Sequence, residues 1–546
     1  MKALIDGQWR DGFLDYYRRP GDCRIRMMAC LTLAKIEELY FVRPPHARLL
    51  WNYLREIGFR DVIRKIVSRH SERLRNQKFL SVGFGSILEP GEHSILDHGQ
   101  LVLFIATAHP MCAERIILPQ CLVRPIDASP PLDIHETEII HSESSLVYPA
   151  CLQELLGWST FSGTSLPDLQ PAFDAAQTIL MKPSVWKKAQ RFSVGTSSMP
   201  LERRDRKRSR VCQRKQGVLF GYGNYAKVVV LPNVAPYVDI SCIHEIDPLQ
   251  IPIREKEGVT WDTASDLRPA EKYDAYFIAG FHHSHAPLAI QALRSGACAV
   301  VEKPLAVDNA QLSDLLDAMT LSNGALYCGF HKRYQMLNQH AYHDLGLRPG
   351  EPVSYHCIVY EVPLPLRHWY RWPNSKSRLV SNGCHWIDHF LFLNNYCEVS
   401  RADLFLAREG TINCSMELAN GAYFTMVLTD QGSERIGVQD YIELRANGVT
   451  ARMSNGATYE AESKNRILRR LTINKMDSYR RMYRSIGQKI AQGMPGDTIE
   501  SVRVSTGAVL LLEQQLNGII EKENVVGFRG MGRGRDLNVH NGVICR

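Results

Sequence analysis

A glycine-rich turn in the middle of the chain constrains the fold more than any other feature. Val218–Phe220 is a short apolar run that predicts a strand, and Gly221-x-Gly223-x-x-Ala226 follows it at once, before a helix-like run. Gly221 permits a tight turn, Gly223 lets the backbone approach a phosphate group, and Ala226 is small enough for a helix to pack on the strand. This order predicts the first strand–turn–helix unit of a parallel α/β sheet.

A carboxylate beyond the next predicted strand adds to this signal. The strand Val238–Ile243 leads to Glu245, which lies 24 residues after Gly221. A carboxylate there can accept hydrogen bonds from ribose hydroxyls and would repel a 2′-phosphate. The start of the first helix, at Asn224 and Tyr225, offers N–H groups and a positive dipole end to a pyrophosphate. These residues predict a dinucleotide site that favours NAD(H) without excluding NADP(H); the alternative is a turn that binds nothing.

Two more predicted strands end in loops that carry polar side chains. The strand Ala275–Ala279 leads into Gly280-Phe281-His282-His283-Ser284-His285, and a predicted helix, Ala286–Arg294, follows. The next predicted strand, Ala297–Val301, ends in Glu302-Lys303-Pro304. Ligands of open α/β sheets bind outside the carboxyl ends of the strands, so we expect these loops to line the same site as the glycine turn.

Three motifs, in this order along the chain, resemble the Gfo/Idh/MocA family of oxidoreductases: the turn Gly221–Ala226, the tripeptide Glu302-Lys303-Pro304, and the run Gly383-Cys384-His385-Trp386-Ile387-Asp388. The resemblance covers about residues 217–521. It implies an α/β protein in which residues 217–334 form a Rossmann-type, doubly wound parallel sheet that binds NAD. It also implies a C-terminal α/β domain, residues 335–521, with a large, open, mostly antiparallel sheet that binds substrate and mediates oligomerisation.

The resemblance also implies roles for single residues. Lys303 would lie beside the substrate and the nicotinamide, and His385 would be the catalytic histidine. His285 matches the histidine after the third strand, and Arg333 matches the arginine that closes the Rossmann domain. Gly280-Phe281 stands where the family often has Thr-Pro. The complete set of expected cofactor contacts is Gly221, Gly223, Asn224, Tyr225, Ala226, Glu245, Gly280, Phe281, His285, Glu302 and Lys303.

The chemistry expected of this site is hydride transfer between nicotinamide C4 and a carbon that bears a hydroxyl or carbonyl oxygen. Lys303, as an ammonium, would stabilise negative charge on that oxygen. His385 would exchange the proton of the oxygen, because the ordinary pKa of histidine lies near working pH. Asp388 lies three residues further on the same helix face and either orients His385 or binds a neighbour. Ser381 stands where many family members have an Asp, which leaves the polarity of the proton relay open.

The leading function is therefore an NAD(P)-dependent oxidoreductase that acts on a sugar, a sugar nucleotide or a related small molecule, in polysaccharide or secondary-metabolite biosynthesis. Two alternatives stay open. One is reduction of an imine C=N bond, for which the departures at Ser381 and Gly280-Phe281 leave room. The other is a non-catalytic, nucleotide-binding scaffold. Because family members usually bury an apolar sheet face between subunits, we expect a homo-oligomer.

Residues 1–125 carry a second, looser resemblance. From Lys78 to Ile126, short apolar runs alternate with Gly, Pro and Asp turn residues, which predicts the strands of a small barrel. The run resembles the GroES-like barrel domain of medium-chain, zinc-type alcohol dehydrogenases, as in bacterial two-part oxidoreductases of polysaccharide clusters. It holds no Cys/His/Glu set with catalytic zinc spacing, and no Gly-x-Gly-x-x-Gly lies between Asp127 and Lys215. The sequence therefore predicts a degenerate barrel, no metal, and one dinucleotide site per chain.

The remaining segments give weaker signals. Residues 126–200 are interpreted as an irregular connecting region with one helix, Pro171–Met181. Residues 201–216 are interpreted as a basic, solvated linker, with an anion-binding patch as the alternative. We expect the chain to end in a helix, Ser501–Leu516, followed by a flexible, Gly/Arg-rich tail over residues 522–546.

Composition argues against several classes of partner. Lys and Arg exceed Asp and Glu by 8 over 546 residues, a mild excess that does not indicate nucleic-acid binding. The longest apolar runs, such as Leu101–Ala108, are strand-sized, so no membrane span is expected. Charged residues near the start interrupt any signal-peptide core, and the 14 cysteines include no Cys-x-x-Cys pair. Both features predict a cytoplasmic protein with reduced thiols.

Overall fold

The computed structural model describes three large sheets, a two-stranded ribbon and the helices that pack on them. The described residues are 2–5, 8–11, 22–37, 54, 57–59, 62–63, 77–91, 94–106, 114–126, 131–133, 138–143, 152, 169–193, 214–247, 250, 258–262, 272–364, 369–371, 373–432 and 437–530. Most of the predicted basic linker and the tail beyond residue 530 lie outside these ranges.

The first part of the chain forms one mixed sheet and a small ribbon. The strands are β1 (Lys2–Ile5), β2 (Gln8–Asp11), β3 (Asp22–Glu37), β4 (Gln77–Glu89), β5 (Leu101–Ala106), β6 (Arg115–Pro119), β7 (Val123–Pro125), β8 (Glu138–Glu143) and β9 (Gln190–Ser193). The ribbon pairs β1 with β2, and the sheet has the order β7-β5-β4-β3-β8-β9, with β6 also paired to β3. Within the sheet, β3 and β8 run parallel and the other pairs are antiparallel.

A helix covers one face of this mixed sheet. It is α1 (Gln170–Leu180), and it begins with Pro171 in the first turn, where the missing N–H of proline costs no helical hydrogen bond. Phe173 packs in one apolar cluster with Leu31 and Phe84 of the sheet. The helix predicted over Pro171–Met181 is confirmed within one residue at each end.

This architecture corrects two predictions. The alcohol-dehydrogenase-like barrel is not shown, because the described strands form a mixed sheet with β7 and β9 at its ends. Within residues 126–200, predicted to be irregular with one helix, the described part also holds β8 and β9, which extend the sheet, and α1 packs on the sheet. The signal was weak here, since β8 carries a single apolar pair, Ile139 and Ile140, between polar neighbours.

The second sheet has six strands, and all its pairs are parallel. Its strands are β10 (Lys215–Phe220), β11 (Val238–His244), β12 (Thr260–Asp262), β13 (Ala275–Ile278), β14 (Cys298–Val301) and β15 (Leu326–Cys328). Its helical segments are a π-helical turn (Ala226–Val230), α2 (Leu231–Val234), α3 (His285–Arg294) and α4 (Asn309–Leu321). The order β12-β11-β10-β13-β14-β15 is the 3-2-1-4-5-6 order of the Rossmann fold, so the predicted fold of this domain is confirmed.

The helix after the glycine turn is wider than an ordinary α-helix at its start. The N–H of Leu231 donates to the carbonyl of Ala226, five residues earlier. Pro232 has no N–H to donate to Val228, so the regular four-residue pattern is interrupted at this point. The sequence predicted a helix here, and proline explains its irregular first turn.

The third sheet has eight strands and is mostly antiparallel, as expected. The elements are α5 (Met336–Leu345), β16 (Ser354–Tyr360), a second π-helical turn (Leu379–Gly383), α6 (Cys384–Leu393), β17 (Val399–Leu406), β18 (Ile412–Leu418), β19 (Tyr423–Thr429), β20 (Gln439–Ala446), β21 (Val449–Ser454), β22 (Thr458–Ser463), β23 (Arg466–Thr472), α7 (Asp477–Gln492) and α8 (Ile499–Gly530). The order is β17-β18-β19-β16-β20-β21-β22-β23, and β16 and β19 form its one parallel pair.

Helices on the inner face of this sheet join it to the Rossmann domain. Phe390 of α6 and Leu512 of α8 share one core cluster with Phe424 of the sheet. The helix α7 returns to the Rossmann domain, where Tyr483 packs in one cluster with Phe277. The helix α8 is longer than the predicted Ser501–Leu516 and takes in the first part of the segment expected to be flexible. This packing sets the start of α6 opposite the carboxyl ends of the Rossmann strands.

The outer face of the eight-stranded sheet carries exposed apolar side chains. Ile358 lies opposite Tyr441 in the strand register, and about half of each side chain is exposed. Homo-oligomerisation through this face stays a prediction. Within the described ranges, no helix has the length and apolar character of a membrane span. The same residues include no cluster of three or more His, Cys, Asp or Glu side chains suited to a metal ion.

Candidate active site

The glycine turn has the two properties that a dinucleotide needs. Gly221 has φ +90°, and a Cβ there would lie 2.7 Å from the carbonyl oxygen of Ala279, so a larger residue would clash. A Cβ on Gly223 would meet no heavy atom within 4 Å, so space remains open in front of the turn. Asn224 is exposed beside it. The first N–H groups of a helix have no intrahelical partner, and this opening therefore fits a pyrophosphate.

Glu245 lies against the glycine turn, as the sequence predicted. Its Oε2 accepts a hydrogen bond from the N–H of Tyr222 at 2.5 Å, and its Oε1 accepts one from Asp247 at 2.9 Å. Burial and the neighbouring Asp247 raise the pKa of Glu245 to about 7. A carboxylate has about four acceptor positions, so two backbone hydrogen bonds leave capacity for ribose hydroxyls.

Tyr225 and Ala226 face inward from the turn. Ala226 is buried in the core of the Rossmann domain, where its small side chain allows close packing. The Tyr225 ring lies 6.3 Å from the ring of Tyr483 in α7. The Tyr483 hydroxyl donates a hydrogen bond to Glu302, the first residue of the Glu-Lys-Pro tripeptide. Tyr225 and Glu302 therefore link the cofactor side of the site to α7.

His285 connects two loops of the site. Its Nδ1 lies 2.8 Å from the carbonyl oxygen of Pro304, and its Nε2 lies 3.2 Å from that of Gly280. Burial lowers the pKa of His285 to about 4, so the ring is neutral and donates to one carbonyl at a time. The side chain is fully buried and holds the loops that follow β13 and β14 together.

Aromatic side chains form one wall of the site. The Phe281 ring lies 5.1 Å from the Trp369 ring, and the His282 ring lies 4.8 Å from the Tyr370 ring. The Lys303 ammonium lies 5.5 Å from the centre of the Tyr370 ring. Trp369 and Tyr370 were not among the predicted site residues, because they lie far along the chain from every motif.

Lys303 points across the site to the helical region that carries the histidine. Its Nζ donates a hydrogen bond to the carbonyl oxygen of Ser381 at 2.7 Å. Burial lowers the pKa of Lys303, but Tyr370, Cys384 and Glu302 more than offset this, so its pKa is raised and the ammonium is kept. Ser381 thus contributes its backbone, where the family pattern has an Asp side chain. The ammonium has three N–H groups, so its hydrogen bonds to Ser381 and Tyr370 leave one for a ligand.

His385, the second residue of α6, has a buried nitrogen without a partner. Among the described residues, its Nδ1 makes no hydrogen bond. The ring packs edge-on against His331 at 4.9 Å and Phe330 at 6.2 Å. Burial and the positive charges of Lys303 and Lys332 hold the pKa of His385 well below its ordinary value. The imidazole is therefore neutral, and its unpaired nitrogen fits a ligand hydroxyl.

Asp388 binds a neighbour rather than orienting His385. Arg333 donates from Nε to Oδ2 at 2.9 Å and from Nη2 to Oδ1 at 2.5 Å. Ser505 donates to Oδ1 at 2.7 Å, and Arg333 also donates to Asp497 at 2.9 Å. This network ties the end of the Rossmann domain to α6 and α8. Of the two roles left open by the sequence, the structure has the second.

A buried ion pair next to His385 was not predicted. Lys332 donates to the carboxylate of Asp440, and Trp386 Nε1 donates to the same carboxylate at 2.9 Å. Lys332 precedes Arg333 in the chain, but Asp440 lies 108 residues further on. No local pattern in the sequence connects the two residues, so only the folded sheet reveals the pair.

Comparison with known protein families finds a match over the Rossmann domain. Residues 216–330 match the family model GFO_IDH_MocA, described as an oxidoreductase family with an NAD-binding Rossmann fold. A search of curated proteins found no match. The matched segment is therefore similar to the nucleotide-binding domain of this family, and it contains two of the three predicted motifs, the turn Gly221–Ala226 and Glu302-Lys303-Pro304.

Solved structures of dehydrogenases and reductases are similar to this chain in fold. A dehydrogenase from Chromobacterium violaceum is 15% identical, with 58% of this chain and 99% of that chain covered and a TM-score of 0.48. A UDP-N-acetylglucosamine 3-dehydrogenase from Acidithiobacillus ferrooxidans is 15% identical, with 55% and 97% covered and a TM-score of 0.44. A 3-ketoreductase from Actinomadura kijaniata, in complex with NADP, is 18% identical, with 54% and 96% covered and a TM-score of 0.46.

Proposed function

We propose that the protein is an NAD(P)-dependent oxidoreductase whose substrate is a sugar, a sugar nucleotide or a related small molecule. Hydride would move between nicotinamide C4 and a substrate carbon that bears a hydroxyl or carbonyl oxygen. The observation that carries the proposal is that Lys303 reaches across to Ser381, at the start of the helical region that carries His385, and its charge acts on that histidine. The open space at Gly223 supports the nucleotide half. Glu245 favours NAD(H) over NADP(H), because its carboxylate would repel a 2′-phosphate.

Lys303 and His385 would divide the work at the substrate oxygen. The bound nicotinamide supplies the hydride acceptor or donor. The Lys303 ammonium, fixed by the Ser381 carbonyl, would donate a hydrogen bond to the oxygen and stabilise its negative charge. The neutral imidazole of His385 would take the proton of a substrate hydroxyl as the carbon loses hydride, which leaves a carbonyl. In the reverse direction the same nitrogen would return the proton.

A glycine substitution tests the nucleotide half of this proposal. In Gly223→Val the new Cβ meets no heavy atom within 4 Å, and the side chain extends into the space proposed for the pyrophosphate. We expect the variant to fold and to lose NADH binding at least about 100-fold, measured by nicotinamide fluorescence and calorimetry. Gly507→Val is the matched control, because a Cβ on Gly507 also meets nothing within 4 Å but lies in α8.

Turnover tests the catalytic half. The wild-type protein would be assayed with NAD⁺ and NADP⁺ against UDP-glucose, UDP-N-acetylglucosamine, dTDP-glucose and myo-inositol. We expect reduction of the nucleotide with at least one of them and a preference for NAD⁺. The proposal fails if wild-type protein binds neither NADH nor NADPH, or if Gly223→Val binds them as the wild type does. Binding of nucleotide without redox change with any substrate would favour the scaffold alternative.

A further inference from the structure

Two side chains of opposite charge lie side by side near the site without a hydrogen bond between them. Glu361 directly follows β16, and its N–H donates to the carbonyl of Thr429 at 2.8 Å. Arg378 donates from Nη2 to the carbonyl of Gly410 at 2.5 Å. The other terminal nitrogen of Arg378, Nη1, lies 3.6 Å from Glu361 Oε2. Both atoms are buried, and neither makes a hydrogen bond within the described part of the chain.

The pair is connected to the reacting groups. Glu361 Oε1 accepts a hydrogen bond from Asn382 Nδ2 at 2.8 Å. Asn382 follows Ser381, whose carbonyl holds the Lys303 ammonium. The charge of Lys303 also acts on the Glu361 carboxylate, whose pKa is nevertheless raised by burial. Glu361 is therefore connected through Asn382 to the segment that holds the Lys303 ammonium.

We propose that Glu361 and Arg378 form a recognition subsite for a neutral hydroxyl group of the substrate, next to the carbon that exchanges hydride. A hydroxyl donates one hydrogen bond and accepts others, which matches an unpaired acceptor beside an unpaired donor. Because the two atoms are 3.6 Å apart, one oxygen can lie about 2.8 Å from both. The proposal rests on the proposed function and narrows its substrate class to compounds with a hydroxyl beside the reacting carbon.

Other substrate groups satisfy the pair less well. A substrate carboxylate or phosphate would be repelled by Glu361 and by the neighbouring Asp430. A carbonyl group would accept from Arg378 and leave the buried Glu361 oxygen unpaired, which is costly. Arg378 Nη1 also lies 3.4 Å from Asp430 Oδ2, so a second carboxylate helps to hold the guanidinium in place. The chemistry of the pair thus favours a neutral hydroxyl over an anionic group or a carbonyl.

Direct binding measurements test the subsite without requiring turnover. Calorimetry would measure UDP-glucose, UDP-N-acetylglucosamine, dTDP-glucose and myo-inositol, each with a set of deoxy analogues, on the full chain with and without NADH. The variants are Glu361→Gln and Arg378→Met, and the control is Glu398→Gln, which removes one partner of an exposed ion pair with Arg503. We expect at least one compound to bind the wild type and to bind each subsite variant about 10- to 100-fold more weakly.

The deoxy analogues identify the contacted hydroxyl. One analogue should bind the wild type as weakly as its parent compound binds Glu361→Gln, and the variant should not distinguish the two. Equal affinity in wild type and variants, with only a lower melting temperature, would overturn the subsite and leave an internal ion pair. Absence of any binding from the panel to wild-type protein would also overturn it, whereas NADH binding separately decides the nucleotide half. If Glu361→Gln does not fold, Glu361→Asp carries the same comparison.

Discussion

Residues 22–193 and residues 214–530 bury different kinds of side chain. Within the described part of the first region, the buried polar groups are uncharged or histidine: Thr32, Ser81, His141 and Ser142. The second region buries Glu245, Glu302, Lys332, Glu361, Asp388, Asp440 and Glu513. A buried charge is costly unless it is paired, and such groups concentrate where chemistry is done. The difference is in keeping with the proposed active site, which lies in the second region.

Two equally buried histidines make the comparison concrete. His141 in β8 and His385 in α6 are each 8% exposed. The Nε2 of His141 lies 3.2 Å from the hydroxyl of Thr32, so this nitrogen is satisfied within the sheet. The Nδ1 of His385 has no such partner among the described residues. Burial alone therefore does not distinguish the two histidines, whereas the unpaired nitrogen of His385 does, and it supports the role proposed for this residue.

The largest effect is expected from replacing Lys303, a lysine of the second region. Lys303→Met removes the donor to the substrate oxygen and should lower kcat by about 1,000-fold, with NADH affinity within about threefold of wild type. Lys187→Met, at an exposed lysine of the first region, is the control and should leave kcat unchanged. Steady-state kinetics with the best substrate of the panel measure both. A wild-type rate in Lys303→Met would break the comparison.

The histidine pair gives the next largest effect. His385→Gln should lower kcat by about 100-fold, because the amide cannot accept the substrate proton as imidazole does. His141→Gln should leave kcat unchanged and lower the free energy of unfolding by about 1 kcal/mol, through the lost contact with Thr32. Kinetics and urea unfolding separate the two outcomes. Equal loss of activity in both variants would show that the first region takes part in the reaction.

The Rossmann domain was predictable because its signals are local. One βαβ unit holds the strand, Gly221, Gly223 and Glu245 in sequence. The backbone conformation that such a unit needs is set by these local residues. The mixed sheet was not predictable to the same degree. Its strand β3 pairs with β8 across more than a hundred residues, and short strands with few apolar residues do not specify a partner. The sequence therefore predicted strands in this region, but the barrel it predicted is not shown and the described strands form a mixed sheet.

The candidate site divides in the same way. Lys303 and His385 could be identified because each lies in a short motif of the family it resembles. The groups around them could not be identified from the sequence, because folding brings them in from distant segments. These groups are the carbonyl of Ser381, the carboxylate of Glu361 and the Lys332–Asp440 pair. The role of Asp388 was open for the same reason, since its partner Arg333 closes a different domain.

A third, intermediate effect concerns stability. Asp388→Asn leaves Arg333 buried without its bidentate partner and should lower the free energy of unfolding by about 3 kcal/mol. The matched change in the first region is Glu138→Gln, whose partner Arg191 is about half exposed, and it should cost less than about 1 kcal/mol. Urea unfolding measures both. If Asp388→Asn instead kept its stability and lost activity as His385→Gln does, Asp388 would act through the histidine.

The smallest effect concerns the pH dependence of cofactor choice. The pKa of Glu245 is raised to about 7, so its side chain is mainly a neutral acid at pH 6 and a carboxylate at pH 8. The carboxylate accepts hydrogen bonds from ribose hydroxyls more strongly than the neutral acid does, and it repels a 2′-phosphate. NADH affinity should therefore rise, and NADPH affinity should fall, from pH 6 to pH 8. The ratio of the two dissociation constants should change by about tenfold, the equivalent of one pKa unit.

Glu245→Gln should flatten this change in the ratio, whereas Glu138→Gln, at a glutamate of the first region, should keep it. The pH dependence of the free energy of unfolding gives an independent test of the raised pKa of Glu245. Because the folded protein holds a proton that the unfolded chain releases near pH 4.5, the stabilising contribution of Glu245 falls as pH rises from there through 7. Unfolding of the nucleotide-free protein at pH 5.5 and 8 should therefore show a smaller loss of stability in Glu245→Gln than in wild type. The prediction fails if two quantities are the same in Glu245→Gln and in the wild type. They are the change with pH in the ratio of the NADH and NADPH dissociation constants, and the change with pH in the free energy of unfolding.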